Sequence, residues 1–303
     1  MQIARKASAR GGRPGERPWE GYLYILPGFL IYAVFVLLPI VQTARLSFFD
    51  WTGFTPAVFI GLGNYRALLD DDLFWIALRN NLTLIVFYTI IPIAFALMLT
   101  GLLTRRPIRG LNAFRAGLFV PQVMSMVVVG VVWKWIYAPK GPLNQILDGI
   151  GLEGLTRPWL GNFQTALPAI GAIGSWVSYP FAMVLFIAGV QRIDEDLYDA
   201  AKLDGANGFQ QFMSITLPEL RNEITIALVT LLITALRTFD LVFVTTRGGP
   251  ANRTHVVALE IYRNAFTLSR TGYAAAIAVV LTVVTLIVSY AVITLRLRTV
   301  AEG

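Results

Sequence analysis

Apolar residues arrive in long unbroken runs along this chain, and each run is of membrane-crossing length. A spanning helix needs about 20 mainly apolar residues. Gly21 to Ala44, Asn80 to Thr104, Ala116 to Trp133, Pro158 to Gln191 and Thr271 to Leu295 carry no charge, and Ile224 to Thr246 carries only Arg237 and Asp240. The pattern predicts an all-α polytopic membrane protein of six spans. Pro39, Pro92, Pro121 and Pro180 fall inside these runs. In lipid, such prolines are tolerated where neighbouring helices or Ser/Thr side chains serve the freed carbonyls, so the spans are expected to pack as a bundle bent at those points.

Composition sharpens the reading. Of 303 residues, 56% are hydrophobic and 14% charged, and the mean hydropathy is +0.63. Soluble domains carry about one quarter charged residues. With no cysteine and one histidine, His255, a disulfide framework, a thiolate or His-rich metal site and a thiol nucleophile are excluded. No metal ligand set is expected. His255 reads as a surface or packing residue. The net charge of +7 is explained by basic loops on one membrane side, without nucleic acid.

Orientation follows from Lys and Arg in the loops. With the N-terminus inside, the inner segments hold fourteen: Arg5, Lys6, Arg10, Arg13, Arg17, Arg105, Arg106, Arg109, Arg115, Arg192, Lys202, Arg221, Arg296 and Arg298. The outer loops hold Arg45, Arg66, Lys140, Arg157, Arg247, Arg253, Arg263 and Arg270, and Arg79 and Lys134 at the outer span ends bring the total to ten. Both termini are expected in the cytoplasm. Residues 1–20 read as a basic cytoplasmic tail and 21–299 as the transmembrane domain, with a cytoplasmic loop at 193–219. A secretory signal is the rival reading of the tail, but the apolar run behind it exceeds a typical h-region. Trp19, Tyr22, Trp133, Trp135 and Tyr137 read as interfacial aromatics.

The 193–219 loop has its own pattern. Asp194, Glu195 and Asp196 suit a helix N-terminus. Leu197, Ala200, Ala201 and Leu203 follow at helical spacing, Gly205 can end the helix, and Phe209, Phe212, Met213 and Ile215 mark a second turn that Pro218 stops. Two short helices would offer an apolar knob to a partner. The alternative is an ordinary loop resting on its own bundle.

The string Asp199-Ala200-Ala201-Lys202-Leu203-Asp204-Gly205, nine residues, then Ile215-Thr216-Leu217-Pro218 resembles the signature of ABC importer permeases. The one departure is Asp199, where that family usually has Glu. Phe59-Ile60-Gly61-Leu62-Gly63-Asn64-Tyr65, Phe74 to Asn81, Pro121, Trp133, Gly141 to Asn144, Trp176, Tyr179-Pro180, Asp196-Leu197-Tyr198, Phe239-Asp240, Gly248-Gly249-Pro250 and Thr254 extend the likeness to carbohydrate-importer permeases, of the maltose or glycerol-phosphate first-subunit kind. The resemblance implies a six-span type I importer bundle in a bacterial inner membrane. It implies alternating access and an ATPase-coupling loop made of Asp199, Ala200, Ala201, Asp204, Gly205, Phe209, Phe212, Ile215, Leu217 and Pro218. The implied partners are a second related permease, two ABC ATPase subunits that carry ATP and Mg, and an extracytoplasmic solute-binding protein. No cofactor is expected on this chain.

The substrate path has candidates with structural alternatives. Arg237 and Asp240, at i and i+3, can neutralise one another and must avoid lipid. They read as a structural ion pair or as a polar lining. Ser175, Trp176, Ser178 and Tyr179 suit sugar rings and hydroxyls, or helix packing through small residues. The family analogy adds Thr234 and Thr238, and more weakly Gln122 and Ser125. No G-x-x-x-x-G-K-[ST], H-E-x-x-H or G-x-S-x-G motif occurs, so a transport subunit is expected and not an enzyme. The alternatives are an ABC permease for a phosphate ester, amino acid or peptide, and a secondary transporter, whose inverted halves and coupling carboxylates are not evident.

Overall fold

The computed structural model describes residues 20–103 and 111–301, with side chains described for 22–102 and 116–295. Expectations for the tail 1–19 and for Arg105, Arg106 and Arg109 lie outside the described residues, as do the side chains of Arg115, Arg296 and Arg298.

Among the described residues, five helices are long and apolar enough to cross a membrane: Tyr22–Leu46, Asp72–Leu102, Ala166–Val190, Arg221–Thr245 and Thr271–Leu295. The remaining expected span is a bent pair, Ala116–Val123 and Met126–Ile136, turned by 104° at the break. We number these six from the N-terminus.

The third span therefore differs from the continuous helix its apolar run predicts. Pro121 donates no hydrogen bond, and Ser125 takes an extended conformation (φ −61°, ψ 133°) that starts the second half. That half packs on the Asp240–Thr245 end of the fifth span. Gly130 allows the approach, because a Cβ there would lie 3.0 Å from a Val244 methyl.

Three prolines act through a shared device. Ala33–Leu37, Val86–Ile90 and Phe212–Thr216 are π-turns, and Pro39, Pro92 and Pro218 each stand two residues beyond one. A proline ring clashes with the carbonyl four residues back, and the wider i→i+5 turn moves that carbonyl aside. Kinks are predicted at Pro39 and Pro92, and widened turns stand there instead; Pro218, predicted as a stop, follows a third, and Pro180 lies inside one continuous helix, Ala166–Val190.

The fourth span is the hub and packs against the second, third and fifth. Gly171 and Gly174 make the closest approach possible. A Cβ on them would come within 2.4 Å of the Phe87 ring and 2.0 Å of the Tyr88 ring. Gly189 likewise leaves room for Leu220, whose methyl would lie 2.4 Å from an added Cβ. One core cluster, around Ala96, Met183, Phe186, Leu220 and Ala227, sits at the end that carries the 193–219 loop. A second, around Tyr88, Val129, Ile173 and Val242, fills the opposite end. A third joins the second, fifth and sixth spans through Phe74, Leu236 and Ile277.

At that opposite end, a two-stranded antiparallel ribbon pairs Phe49 with Phe59 and Asp50 with Val58. Asn64 Nδ2 donates to the Ser47 and Phe49 carbonyls at 2.9 Å each. Gly272 donates its N–H to the Trp51 carbonyl at 3.0 Å, which seats the sixth span against this ribbon.

Candidate coupling interface and substrate path

The loop between the fourth and fifth spans folds as two short helices at a fixed corner. Asp194 caps the first, Glu195–Leu203, by accepting from the Asp196 N–H at 3.1 Å. Glu195 and Asp196 in its first turn complement the helix dipole. The helix ends as its sequence predicts. Gly205 takes φ +77°, and the Ala206 N–H reaches back to the Ala201 carbonyl at 2.9 Å. This is a glycine-terminated C-cap.

A second cap follows at once. Asn207 Oδ1 accepts from the Phe209 and Gln210 N–H groups at 3.0 Å each, while Gln210 Oε1 accepts from the Asn207 N–H at 2.7 Å. This reciprocal box starts the second helix, Gly208–Gln211. Helical backbone then runs on through the π-turn and Leu217–Glu219. The break before the fifth span falls at Leu220 (φ −82°, ψ 8°), two residues later than a stop at Pro218.

Tyr198 and Thr216 hydroxyls meet at 2.9 Å and tie the two loop helices together. Gln211 Nε2 donates to the Ala206 carbonyl at 2.8 Å across the corner. Lys202 Nζ lies 2.7 Å from Asp199 Oδ1, an exposed pair one helical turn apart.

The predicted coupling residues divide by direction. Phe212 faces inward, because a Cβ on Gly101 of the second span would lie 3.2 Å from its ring. Leu217 packs on the core and Ile215 is half-buried. Leu203 and Phe209 face outward, 89% and 65% exposed, with Leu197 and Met213 beside them in sequence and also exposed. Asp199, Ala200, Asp204 and Gly205 are exposed and Ala201 is half-buried. The loop is thus anchored by one apolar set and bears another in the open.

Along the proposed path, four of the eight candidates serve packing. Ser175 donates to the Phe87 carbonyl and, at 3.1 Å, to Gly171. Pro92 has no N–H to offer the Phe87 carbonyl, so a serine on the neighbouring span serves it. Ser178 is buried. The Tyr179 hydroxyl donates to the Leu118 carbonyl at 3.0 Å, and its ring meets Phe95 edge-on at 5.1 Å. Thr238 is buried and donates to the Thr234 carbonyl at 3.1 Å. Trp176 is half-buried and meets Trp133 edge-on at 5.6 Å. Thr234, Arg237 and Asp240 are exposed.

The expected Arg237–Asp240 ion pair does not form among the described residues. Helix stops at Leu236 and resumes at Asp240, and Phe239 takes φ −137° and ψ −61°. The i, i+3 geometry that would bring the charges together is therefore absent.

That break is held by a residue the sequence reading cites only within the resemblance. Asn81 is fully buried. Its Nδ2 donates to the Ala235 and Leu236 carbonyls at 3.0 and 3.1 Å, and its Oδ1 accepts from the Val257 N–H at 2.9 Å. Asn80 donates to the His255 carbonyl at 2.8 Å. His255 is buried, with Nε2 2.6 Å from Glu260 Oε2, and the other Glu260 oxygen accepts from Asn264. Two adjacent amides inside an apolar run are the signal that could have found this latch, since polar groups in spans need partners.

Comparison with known proteins agrees with this architecture. Residues 93–299 match the family described as binding-protein-dependent transport system inner membrane component. The probable ABC transporter permease protein YurN of Bacillus subtilis is 38% identical, over 88% of this chain and 92% of that protein. The diacetylchitobiose uptake system permease protein NgcF of Streptomyces coelicolor is 36% identical, over 92% of this chain and 84% of its own. Among solved structures, a chain of a bacterial ABC transporter that imports the acidic polysaccharide alginate superimposes with a TM-score of 0.79 at 24% identity. It covers 92% of this chain and 96% of that one. A bacterial alginate ABC transporter solved in complex with an alginate pentasaccharide-bound periplasmic protein also superimposes, with a TM-score of 0.77 at 23% identity, over 91% of this chain and 96% of that one. Six apolar runs, a doubly capped loop with an outward apolar surface, and a match over most of the chain lead to one conclusion: this chain belongs to the binding-protein-dependent transport system inner membrane component family, as a permease subunit of an ABC transporter.

Proposed function

We propose that this permease carries a sugar, oligosaccharide or related polyol into the cytoplasm by alternating access, and that the 193–219 loop is the lever through which ATP hydrolysis drives it. The observation that carries the reading is the outward pair Leu203 and Phe209 on a loop whose other face is anchored to the bundle. Exposed apolar side chains on a rigid support mark a protein-binding surface. The partners are a second related permease, two ABC ATPase subunits holding ATP and Mg, and an extracytoplasmic binding protein. The excess of Lys and Arg in loops on the side of residues 193–219 supports a cytoplasmic position for this loop and for both termini. The carbohydrate assignment draws on the uptake system and the alginate importer above. Exposed Thr234, Arg237 and Asp240, with Trp176, are the candidates for contact along the path.

The loop is tested at Gly205. Proline there cannot adopt φ +77°, because its ring holds φ near −65°, and it removes the Gly205 N–H that serves the Lys202 carbonyl at 3.0 Å. Gly205→Pro is expected to abolish sugar uptake while membrane insertion persists. Normal uptake by that variant refutes the lever.

A further inference from the structure

The only histidine of the chain, His255, is folded into a polar cluster outside the coupling loop and the substrate path. Helix Val257–Tyr262 starts from Val256, which gives it no side-chain cap. Instead, His255 Nε2 meets Glu260 Oε2 at 2.6 Å, and each side chain is 4% exposed. These are the residue before the N-cap and the fourth residue of the helix. Apolar side chains at those two positions often pack together and fix the angle at which the chain enters a helix. Here the same clasp is made by two groups that can carry charge.

The clasp holds the segment on which Asn81 rests. The Val257 N–H donates to Asn81 Oδ1 at 2.9 Å, and Asn81 donates in turn to the Ala235 and Leu236 carbonyls at the break in the fifth span. A change in the angle of helix Val257–Tyr262 would shift that N–H, and with it the break. Glu260 is a buried carboxylate whose other oxygen accepts from Asn264. Among the described residues the nearest permanent cation is half-exposed Arg263, at 3.7 Å. The second span faces the cluster with the amides of Asn80 and Asn81, and carries Asp71 at its start and exposed Arg79. The sixth span brings Tyr273, whose hydroxyl donates to Asp71 Oδ2 at 2.6 Å, and Arg270 just before it donates its N–H to the Asn264 carbonyl at 2.8 Å. On the side of the fifth span, Thr246 meets Thr254 at 2.7 Å, between exposed Arg247 and Arg253.

Histidine is the side chain that ordinarily changes charge between about pH 5 and 8. Protonated on both nitrogens, His255 balances Glu260. With one proton it can still bond Glu260, but the pair then carries a net negative charge in a buried site, and a buried charge short of a partner is costly. The clasp is therefore tightest in mild acid and slackens as pH rises. We infer that His255 and Glu260 are positioning residues for transport, which set the break in the fifth span through Asn81 and make uptake fall as the extracytoplasmic pH rises. The inference rests on the membrane topology proposed above and is independent of the cargo.

The test uses the complete transporter in proteoliposomes with its binding protein. Uptake of radiolabelled maltose, lactose and diacetylchitobiose is measured at fixed inner pH, with the outer pH varied from about 5.5 to about 8. Rates are divided by the occupancy of the binding protein, measured separately at each pH. Wild-type uptake is expected to fall about fivefold across this window, while His255→Gln and Glu260→Gln give flat profiles. Glutamine keeps a hydrogen-bonding side chain at either place and does not titrate, so a purely structural role would lower the rate and keep the wild-type slope. Hydrogen exchange at residues 255–262, corrected for its intrinsic pH dependence, is the second readout. Wild-type protection should fall about threefold across the window, and protection in His255→Gln should not change with pH. A flat wild-type profile, a wild-type slope kept in the variants, or wild-type protection indifferent to pH overturns the clasp and leaves the permease reading standing. A slope that follows the inner pH overturns it together with the proposed topology. If the wild type takes up none of the three sugars, the carbohydrate reading fails, and wild-type exchange decides the clasp on its own; it does the same if both variants fail to insert.

Discussion

At the residue scale, close packing in this bundle depends on side chains that are small or fully hydrogen-bonded. Gly174 is a sharp case between two spans, with an added Cβ 2.0 Å from the Tyr88 ring. Overpacking of this kind costs about 1–3 kcal/mol. Gly174→Ala should lower the thermal midpoint of the detergent-purified protein, and Tyr88→Ala in the same chain should return part of the loss, since contacting residues are non-additive. A midpoint unchanged by Gly174→Ala contradicts the packing described. Asn81 acts by satisfaction rather than size. It serves two carbonyls and one amide from two other segments. Replacing it with leucine strands those groups, at roughly 2–4 kcal/mol from unmet buried hydrogen bonds. Thermal unfolding should show Asn81→Leu well below Asn80→Leu. Equal midpoints would mean that the break is held by something else.

At the element scale, what could be read from the sequence depended on how local the signal was. Each expected span left an apolar run, and run length is a local property. The corner of the 193–219 loop was legible for the same reason, because Gly205 terminates a helix by its own backbone freedom. The inward turn of Phe212 was not legible. It depends on Gly101, more than a hundred residues away, leaving room for a ring. The third span misled because hydropathy counts apolar residues and is blind to a bend, although Pro121 and Ser125 were in view. The Arg237–Asp240 pair failed because i, i+3 reasoning presumes continuous helix. The carbonyls at the break are capped by a side chain 154 and 155 residues distant, and no window along the chain reveals that. Serine 175 fell between these cases. Its type suited either sugar or packing, and the carbonyl opposite it placed it in the packing.

At the scale of the whole molecule, the chain divides into a tightly packed hub and peripheral surfaces that it leaves open. The fourth span is largely buried, whereas the first, Tyr22–Leu46, has no buried residue. A bundle with one side uncovered suits a subunit that works with partners. The loop helices hang from the hub at Leu220, which is fully buried, so a push on Leu203 or Phe209 would pass to the junction of the fourth and fifth spans. That junction leads to the break at Arg237–Phe239, beside the exposed candidates for the path.

The central claim is that this lever is gripped by an ATPase. The chain has no native cysteine, so Leu203→Cys introduces a single thiol without background. Disulfide or maleimide crosslinking of that variant in native membranes, read by mass spectrometry, measures the contact directly. We expect one dominant adduct with an ABC ATPase subunit, weakened when nucleotide changes the coupling geometry. Labelling of the same thiol only from the extracytoplasmic side, with no ATPase captured, would contradict the account.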